Sequence, residues 1–413
     1  MVAETVTIQC AIAGGGPAGM MLGLLLARAG VDVVVLEKHA DFLRDFRGDT
    51  IHPSTLEVMY ELGILDDFLK RPHQEVRALA GEIGDERIVI ADFSHLPTHC
   101  RFIALMPQWD FLDFIADQAR LYSSFHLRMQ ARVTDLIVEQ GRIVGLRAET
   151  PDGPIEVKAD LVVGADGRRS DVRAQAGLEV EDFGAPMDVL WFRLSKRHDD
   201  GEQTLGRIQA GVVFVTLDRG DYWQCAYVIP KDGFDRLRAK GLEAFRTAIV
   251  SLNPSFADRV KEIASWDDVK LLTVTVDRLK RWYRPGLLCI GDAAHAMSPI
   301  GGVGINLAIQ DAVAAANILW QALRQGSVSV EDLATVQARR EWSTKMMQAV
   351  QLFIQKRVIS NVLSMTGRPR PPLVVTLFNR FAFLRRFPAR LIGMGFRPEH
   401  VHSPEITHSH ART

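Results

Sequence analysis

The spacing of apolar residues changes twice within the first forty positions. Over residues 5–13 the apolar side chains of Val6, Ile8 and Ile12 alternate with their neighbours, which predicts a strand. Residues 17–30 are apolar on nearly every helical face and predict a buried helix, and the β-branched residues of 31–36 predict a second strand. This order is typical of a parallel α/β sheet.

Alternation replaces helical periodicity in the middle of the chain, which predicts a mainly antiparallel sheet. Its expected strands are residues 187–194, 207–216, 222–229 and 269–276, joined by 76–83 and 101–106. Short apolar strands also precede glycine turns at 161–163 and 287–290, and a long apolar helix is predicted to reach Leu323. The pattern therefore predicts an α/β fold with an inserted antiparallel sheet.

Composition narrows the class of protein. The chain has 413 residues, 47% of them hydrophobic, and a formal net charge of −1, which excludes a disordered chain and argues against nucleic acid as a partner. The four cysteines form no metal-binding or redox spacing, so they are expected to be reduced thiols in the cytoplasm. No Lys or Arg precedes Arg28, and glycines interrupt the apolar run there, so no signal peptide or membrane span is expected.

The junction between the first strand and helix reads Gly-Gly-Gly-Pro-Ala-Gly over residues 14–19, the pattern G-x-G-x-x-G in its strand–turn–helix setting. Gly14 allows a tight turn, Gly16 lets the backbone approach a pyrophosphate, and Gly19 brings the helix close to the strand. Glu37 is placed to accept hydrogen bonds from ribose hydroxyls. The motif predicts dinucleotide binding and does not separate FAD from NAD.

Two further glycine turns follow buried strands. The first contains Asp166, which its strand delivers to the carboxyl end of the sheet, where ligands bind. The second contains Gly291 and Asp292 and leads through a glycine-rich loop into the long helix. A glycine loop before a helix N-terminus is an anion site, which stabilises negative charge on a bound group.

The three turns, in this order and spacing, resemble the single-component (group A) flavoprotein aromatic hydroxylases, which have the p-hydroxybenzoate hydroxylase fold. The resemblance covers residues 6–324. It implies a Rossmann-like FAD-binding domain, an inserted antiparallel β-sheet substrate domain and a C-terminal helical segment. The implied bounds are 1–75, 108–182 and 278–330 for the FAD-binding domain, 76–107 and 183–277 for the substrate domain, and 331–413 for the C-terminal segment and tail.

The resemblance also implies which residues hold the cofactor. Those expected at the ADP half of FAD are Gly14, Gly16, Pro17, Ala18, Gly19, Glu37 and Lys38. Those expected at the ribityl chain and flavin ring are Gly291, Asp292, Gly302, Gly304, Ile305 and Asn306. Asp166 and Arg173 would serve the pyrophosphate region and the docking of NADPH or NADH, and Arg47 and Gln108 match positions that touch FAD. Because no second glycine motif of this kind occurs, the nicotinamide cofactor is expected to dock transiently.

By resemblance the protein is an NAD(P)H-dependent FAD monooxygenase, which transfers oxygen from O₂ through a flavin C4a-hydroperoxide to an aromatic or related ring. Pro299 would lie beside the reacting face, and Tyr227 and His295 are candidates for activating the substrate, although both residue types are more often structural. The candidate cavity walls are Trp191, Phe192, Phe214, Trp223 and Tyr227, of which alternation allows about half to face the cavity.

Three alternatives stay open. A flavin-dependent halogenase would carry W-x-W-x-I-P, where this chain has Cys-Ala-Tyr-Val-Ile-Pro over residues 225–230. A quinone-pathway hydroxylase at a membrane would explain a basic C-terminal region. A non-catalytic flavin-binding protein would keep the FAD motifs without oxidising NAD(P)H.

The C-terminal segment has an unusual charge pattern. Residues 342–398 contain ten Lys or Arg and no Asp or Glu, and phenylalanines interleave with the arginines from Phe378 to Leu391. This suits a peripheral membrane helix, a lid over the substrate, the interface of a homodimer, or a helical tail packed on the rest of the protein. Residues 365–372 are predicted to be a linker, and the four histidines from His400 onward are expected in a frayed tail without metal.

Overall fold

A computed structural model describes residues 4–43, 50–84, 86–200, 205–209, 211–365, 367, 369 and 371–406. Within these ranges the chain forms twenty strands and twelve α-helices. The strands are β1 (Glu4–Ala13), β2 (Val33–Leu36), β3 (Thr50–Ile51), β4 (Gln74–Val76), β5 (Ala78–Ile83), β6 (Glu86–Asp92), β7 (Ile103–Leu105), β8 (Phe125–Arg128), β9 (Arg132–Glu139), β10 (Arg142–Thr150), β11 (Gly153–Gly164), β12 (Val180–Asp182), β13 (Met187–Ser195), β14 (Leu205–Gln209), β15 (Val212–Asp218), β16 (Tyr222–Pro230), β17 (Lys270–Leu272), β18 (Asp277–Leu279), β19 (Tyr283–Arg284) and β20 (Leu287–Cys289). The helices are α1 (Pro17–Arg28), α2 (Pro53–Glu61), α3 (Leu65–Phe68), α4 (Gln108–Ala119), α5 (Asp171–Gln175), α6 (Phe234–Ala239), α7 (Leu242–Leu252), α8 (Gly304–Arg324), α9 (Val330–Ile354), α10 (Ser360–Ser364), α11 (Leu373–Arg380) and α12 (Arg386–Met394). A π-helical turn (Gln355–Ile359) joins α9 to α10.

The largest sheet is mostly parallel and has the order β19-β20-β11-β1-β2-β8, with β10 and β9 added beside the first half of β11. Its central strand is β1, in which Cys10 pairs with Leu161 of β11 on one side and Val33 of β2 on the other. Helices α1 and α8 pack against β1 and each other, and both are buried along most of their length. The expected Rossmann-like α/β domain is confirmed.

The inserted sheet has the order β17-β13-β16-β15-β14-β5-β6 and is antiparallel except between β14 and β5. The single strand expected at residues 207–216 is wrong: Gly211, with a φ of +75°, separates β14 from β15. The strand expected at 101–106 does not join this sheet. Instead β7 pairs with β3 and β4, because those segments hydrogen-bond to both of its edges. Of residues 269–276 only β17 is strand.

Residues 395–406, which we name the C-terminal strap, pack against helices α1, α2, α8 and α9. The N–H of Ile406 donates to the carbonyl oxygen of Arg28 (2.9 Å), and Asn317 of α8 donates to the carbonyl oxygen of His400 (2.8 Å). The frayed tail expected here is wrong for the strap, because these hydrogen bonds hold its backbone. The two last histidines of the sequence lie outside the described residues.

One helical stretch, Ile300–Arg324, has the length and apolar composition of a membrane span. Of its most apolar window, 78% is buried inside the protein. This burial is what the core helix of an α/β domain shows. The glycine-rich loop leads directly into the start of α8.

Candidate active site

The glycine turn after β1 has the close approaches that its sequence predicts. Gly14 has a φ of +108°, and a Cβ there would lie 2.4 Å from the carbonyl oxygen of Ala165. A Cβ on Gly19 would lie 2.0 Å from the carbonyl oxygen of Gly14, so a larger residue would push α1 off the strand. A Cβ on Gly16 would meet no described atom within 4 Å. The space beside Gly16, at the start of α1, therefore has room for a phosphate group.

Glu37 lies at the carboxyl end of β2, beside this turn. Its buried carboxylate accepts hydrogen bonds from the N–H of Gly15 (2.9 Å) and from the N–H two residues further along the chain (3.0 Å). Two main-chain donors thus fix the carboxylate at the place where a ribose is expected. Lys38 is exposed next to it, and Pro17 and Ala18 open α1.

The second turn, after β11, contains buried polar atoms that have no hydrogen-bond partner among the residues the structure describes. Asp166 Oδ2 accepts from the N–H of Val172 (3.2 Å), while its Oδ1 has no hydrogen-bond partner among the described residues. Burial raises the pKa of this carboxyl group. Arg168 Nε donates to Asp292 (3.0 Å), and its buried Nη1 likewise has no described partner. Since an unmet buried polar group costs about 1–3 kcal/mol, both atoms are candidates for binding a polar ligand.

Arg173 is expected at the pyrophosphate, but its donors are engaged inside the protein. Its two terminal nitrogens donate to the two carboxylate oxygens of Asp277 (3.2 and 3.3 Å), the first residue of β18. One of them also donates to the carbonyl oxygen of Arg168 (2.6 Å). Arg173 therefore holds the second turn against β18, and its placement favours an indirect role at the site.

The third turn rests on a chain of buried charged side chains. One carboxylate oxygen of Asp311, on α8, accepts from the N–H of Gly291 (3.0 Å) and pairs with His295 Nε2 (2.6 Å). The other oxygen accepts from Arg340 Nε (3.0 Å), and Arg340 reaches Glu399 in the C-terminal strap (3.3 Å). Burial alone would raise the pKa of Asp311, but the charges and hydrogen bonds of His295 and Arg340 outweigh it and hold that pKa below its usual value.

The glycine-rich loop before α8 is held by the segment that begins at β3. Gly302 has a φ of +63°, and a Cβ there would lie 2.4 Å from Thr50 Oγ1, which donates to the carbonyl oxygen of Gly302 (2.9 Å). Asn306 Oδ1 accepts from the N–H of His52 (3.0 Å). The Asn306 side chain is thus engaged in hydrogen bonds within the protein. The loop presents main-chain groups at the start of the helix. The first two helical residues are Gly304 and Ile305.

Three buried glutamines, which the sequence analysis missed, hold the segment 296–300. Gln348, Gln351 and Gln355 each donate through Nε2 to this segment, at 3.2, 2.8 and 2.7 Å. Their spacing of three and four residues places them on one side of α9 and the π-helical turn. That spacing is visible in the sequence and could have indicated a polar helix face. The glutamines fix the backbone on both sides of Pro299.

Tyr227 lies on the face of the inserted sheet away from Ile300, so its packing does not favour the expected role in activating the substrate. It packs against Phe245 of α7 in an aromatic cluster, and burial raises the pKa of its hydroxyl group. The opposite face of the sheet packs against Ile300 and carries Trp191, because successive residues of a strand point to opposite faces. The other expected cavity walls lie on the Tyr227 face; they are Phe192, Phe214 and Trp223.

The remaining predicted site residues lie in different parts of the chain. His295 is buried with Nε2 on Asp311, which favours a structural role over substrate activation. Pro299 lies within the glycine-rich loop, where its carbonyl oxygen accepts from the N–H of Gly302 (3.1 Å). Gln108 is the half-buried first residue of α4, and Arg47 lies outside the described residues.

The three turns meet at one edge of the large sheet. β1, β11 and β20 are neighbouring parallel strands, and Ala13 pairs with Gly164, which pairs with Cys289, at their carboxyl ends. The space at Gly16, the unpartnered Asp166 oxygen and the start of α8 follow these strands. Such groups suit a pyrophosphate, sugar hydroxyls and an electron-rich ring, so the residues present fit FAD.

Comparisons with known proteins agree with this geometry. The family model described as FAD binding domain matches residues 7–350. The chain is 33% identical over 372 residues to 6-methylpretetramide 4-monooxygenase of Streptomyces rimosus, covering 88% of each protein. Two solved structures show the same fold: the anhydrotetracycline hydroxylase OxyS of Streptomyces rimosus (24% identity, TM-score 0.71, 94% of this chain and 76% of that one) and the myxobacterial chondrochloren halogenase CndH (19% identity, TM-score 0.73, 97% and 94%).

The resemblance inferred from the three glycine turns is therefore confirmed. The family model covers most of the chain, and the monooxygenase relative matches nearly the whole of it. On these two findings together, the chain belongs to the FAD binding domain family and is an FAD-dependent monooxygenase.

Proposed function

We propose that this monooxygenase uses NAD(P)H and O₂ to hydroxylate a small, largely apolar aromatic substrate between the glycine-rich loop and the inserted sheet. The convergence of the three turns at one sheet edge carries the proposal. Beyond that edge, Ile300 shares an apolar layer with Trp191, Val189 and Val213. An apolar layer of this kind suits an aromatic ring better than a charged substrate.

In the proposed site the chain would bind and orient the cofactor. Gly16 would leave room for the pyrophosphate, Glu37 would accept from the ribose, and Asp292 and the main chain at Gly302 would hold the ribityl chain and the ring. When bound, FAD would supply the redox chemistry that links NAD(P)H oxidation to O₂. The start of α8 would stabilise negative charge on a bound flavin ring by about 0.3–2 kcal/mol.

The nicotinamide cofactor docks transiently in this proposal. Asp166 follows β11 at the carboxyl edge of the sheet, where the three turns meet, and its Oδ1 has no partner within the described ranges. Arg173 contributes indirectly, because its ion pair with Asp277 fixes the turn that carries Asp166.

Halogenation is the second candidate, because the chondrochloren halogenase shares the fold. In this chain the tryptophans of W-x-W-x-I-P are replaced by Cys225 and Tyr227, whose side chains pack in the aromatic cluster on the face away from Ile300. The replacement favours hydroxylation. A quinone-pathway hydroxylase would differ from the proposal in its substrate. A non-catalytic flavoprotein would differ because it would not oxidise NAD(P)H.

Purified protein supplied with FAD tests these alternatives. We expect a yellow protein whose NAD(P)H oxidation is stimulated by phenols or fused aromatic rings, with a product heavier by one oxygen atom in mass spectrometry. The control is Gly16→Val, which has space to fold but fills the phosphate position, and should lose FAD and activity. A halogenated product would assign the second candidate. NAD(P)H oxidation that no aromatic compound or quinone stimulates would contradict the proposal.

A cytoplasmic location is part of the proposal. All four cysteines are free thiols, and all are buried. Unpaired thiols in this number fit a reducing compartment, where disulfides do not form.

A further inference from the structure

Helices α11 and α12, with the 3₁₀ turn between them (Ala382–Arg385), form what we name the C-terminal hairpin. The hairpin packs on β6, at the edge of the inserted sheet. Asn379 fixes it there, because its Nδ2 donates to the carbonyl oxygen of Arg87 (2.9 Å) and its Oδ1 accepts from the N–H of Val89 (3.2 Å). The hairpin is therefore attached to the folded protein by hydrogen bonds to the edge strand.

The outer side of the hairpin exposes large apolar side chains. The exposed fractions are 44% for Leu377, 43% for Phe381, 57% for Phe383 and 68% for Phe387. The rings of Phe381 and Phe383 lie 6.2 Å apart. Exposed apolar residues gathered on one element mark an interaction surface rather than a protein core.

The charged residues of the hairpin itself are all positive, and the nearest acidic partner shown is Asp92 of β6, beside Arg385. Arg380, Arg386 and Arg390 are exposed on the hairpin, and the sequence has no acidic residue from 342 to 398. The net charge of the whole chain is −1, so the acidic residues are concentrated elsewhere. The surface therefore attracts an anionic partner that also has an apolar interior.

We propose that the C-terminal hairpin docks on an anionic lipid bilayer, with Phe383 and Phe387 in the interface and the arginines against lipid phosphates. Aromatic insertion combined with cationic attraction is the means by which interfacial helices bind membranes. A second copy of this chain fits less well, because a symmetric contact would bring two acid-free arginine clusters face to face.

Docking would place the inserted sheet beside the bilayer, because the hairpin is hydrogen-bonded to β6. Apolar aromatic compounds partition into bilayers, so the substrate would be most concentrated there. This consequence rests on the proposed function, whereas the docking itself does not.

Co-sedimentation of the FAD-loaded protein with phosphatidylglycerol-containing vesicles tests the proposal. We expect binding at low salt, release as salt rises, and little binding to pure phosphatidylcholine vesicles. Replacing both phenylalanines (Phe383→Ser with Phe387→Ser) should weaken binding about tenfold or more. Replacing two arginines (Arg386→Gln with Arg390→Gln) should weaken it about thirtyfold. The matched control is Phe353→Ser, which removes a side chain that is 64% exposed but lies on α9, outside the hairpin.

The outcomes separate docking from catalysis. FAD content and NAD(P)H oxidation without vesicles should be unchanged in all three variants, because none of the altered residues touches the proposed site. Absence of binding to anionic vesicles, or binding that the hairpin variants do not weaken, would overturn the proposal even in an active enzyme. A dimer in light scattering that the phenylalanine variant dissociates would assign the surface to a second copy instead.

Discussion

The substitution Asp311→Asn removes the charge at the centre of the buried chain beneath the third turn. The amide has the same size, but only its oxygen accepts, so it can serve Arg340 or the Gly291–His295 side and not both. Breaking a buried ion pair from one side costs about 3–5 kcal/mol. With an unfolding entropy of about 2.1 cal/mol/K per residue over this chain, the apparent unfolding midpoint should fall by roughly 3–6 °C.

Thermal unfolding followed by circular dichroism on FAD-loaded protein measures this shift. The control is Asp117→Asn, which removes an exposed carboxylate paired with Arg71 (3.0 Å) and should change the midpoint by about 1 °C or less. FAD should also dissociate faster from Asp311→Asn, because the N–H of Gly291 loses its charged acceptor. A midpoint within about 1 °C of the wild type, together with unchanged FAD release, would refute the reasoning.

Three other perturbations have defined outcomes. Burial lowers the pKa of His52 from 6.5 to about 4, so the unfolded chain takes up a proton first, and stability falls by up to about 3 kcal/mol as the pH drops from 6.5 toward 4. In urea unfolding at several pH values, the free energy of unfolding of His52→Gln should fall less over this range than that of the wild type. The exposed control His126→Gln should follow the wild type. The same pH dependence in His52→Gln as in the wild type would contradict this. Gly14→Ala should impair folding, whereas Gly16→Ala should fold and bind FAD more weakly, as judged by circular dichroism and flavin fluorescence; a fully stable Gly14→Ala would contradict the clash with Ala165. Tyr227→Phe should retain NAD(P)H oxidation coupled to product formation, and a loss of about tenfold or more in steady-state rate would restore Tyr227 as a catalytic candidate.

The elements that depend on local pattern were predictable from the sequence. The bounds of β1 and α1 agree with the predicted ones to within two residues, because alternation, the glycine turn and the apolar helix all lie within thirty positions. Residues 207–216 continue the strand pattern on both sides of Gly211, which alone is a weak turn signal, so the turn between β14 and β15 was missed. The partners of β7 come from segments far along the chain, and no local pattern specifies that pairing.

The site, like the fold, was predictable from the sequence only where local pattern determines it. Alternation places Trp191 and Phe192 on opposite faces of β13, but only the packing of α7 on one face and of Ile300 on the other determines which of them faces the loop. Asp311 and Arg340 resemble solvated charges when each is considered alone. They become a buried network because the fold brings α8, α9 and the C-terminal strap together.

The C-terminal strap has a consequence for the order of events during synthesis. Glu399 completes the ion pairs of Arg340, and it leaves the ribosome long after the strands that carry the glycine turns. Until translation passes the strap, Arg340 lacks this acceptor. Unfinished chains expose such unpaired, unpacked surfaces to chaperones and proteases. A chain that ends before the strap would therefore keep Asp311 as a partner of Arg340 but lose Glu399, its other buried carboxylate partner.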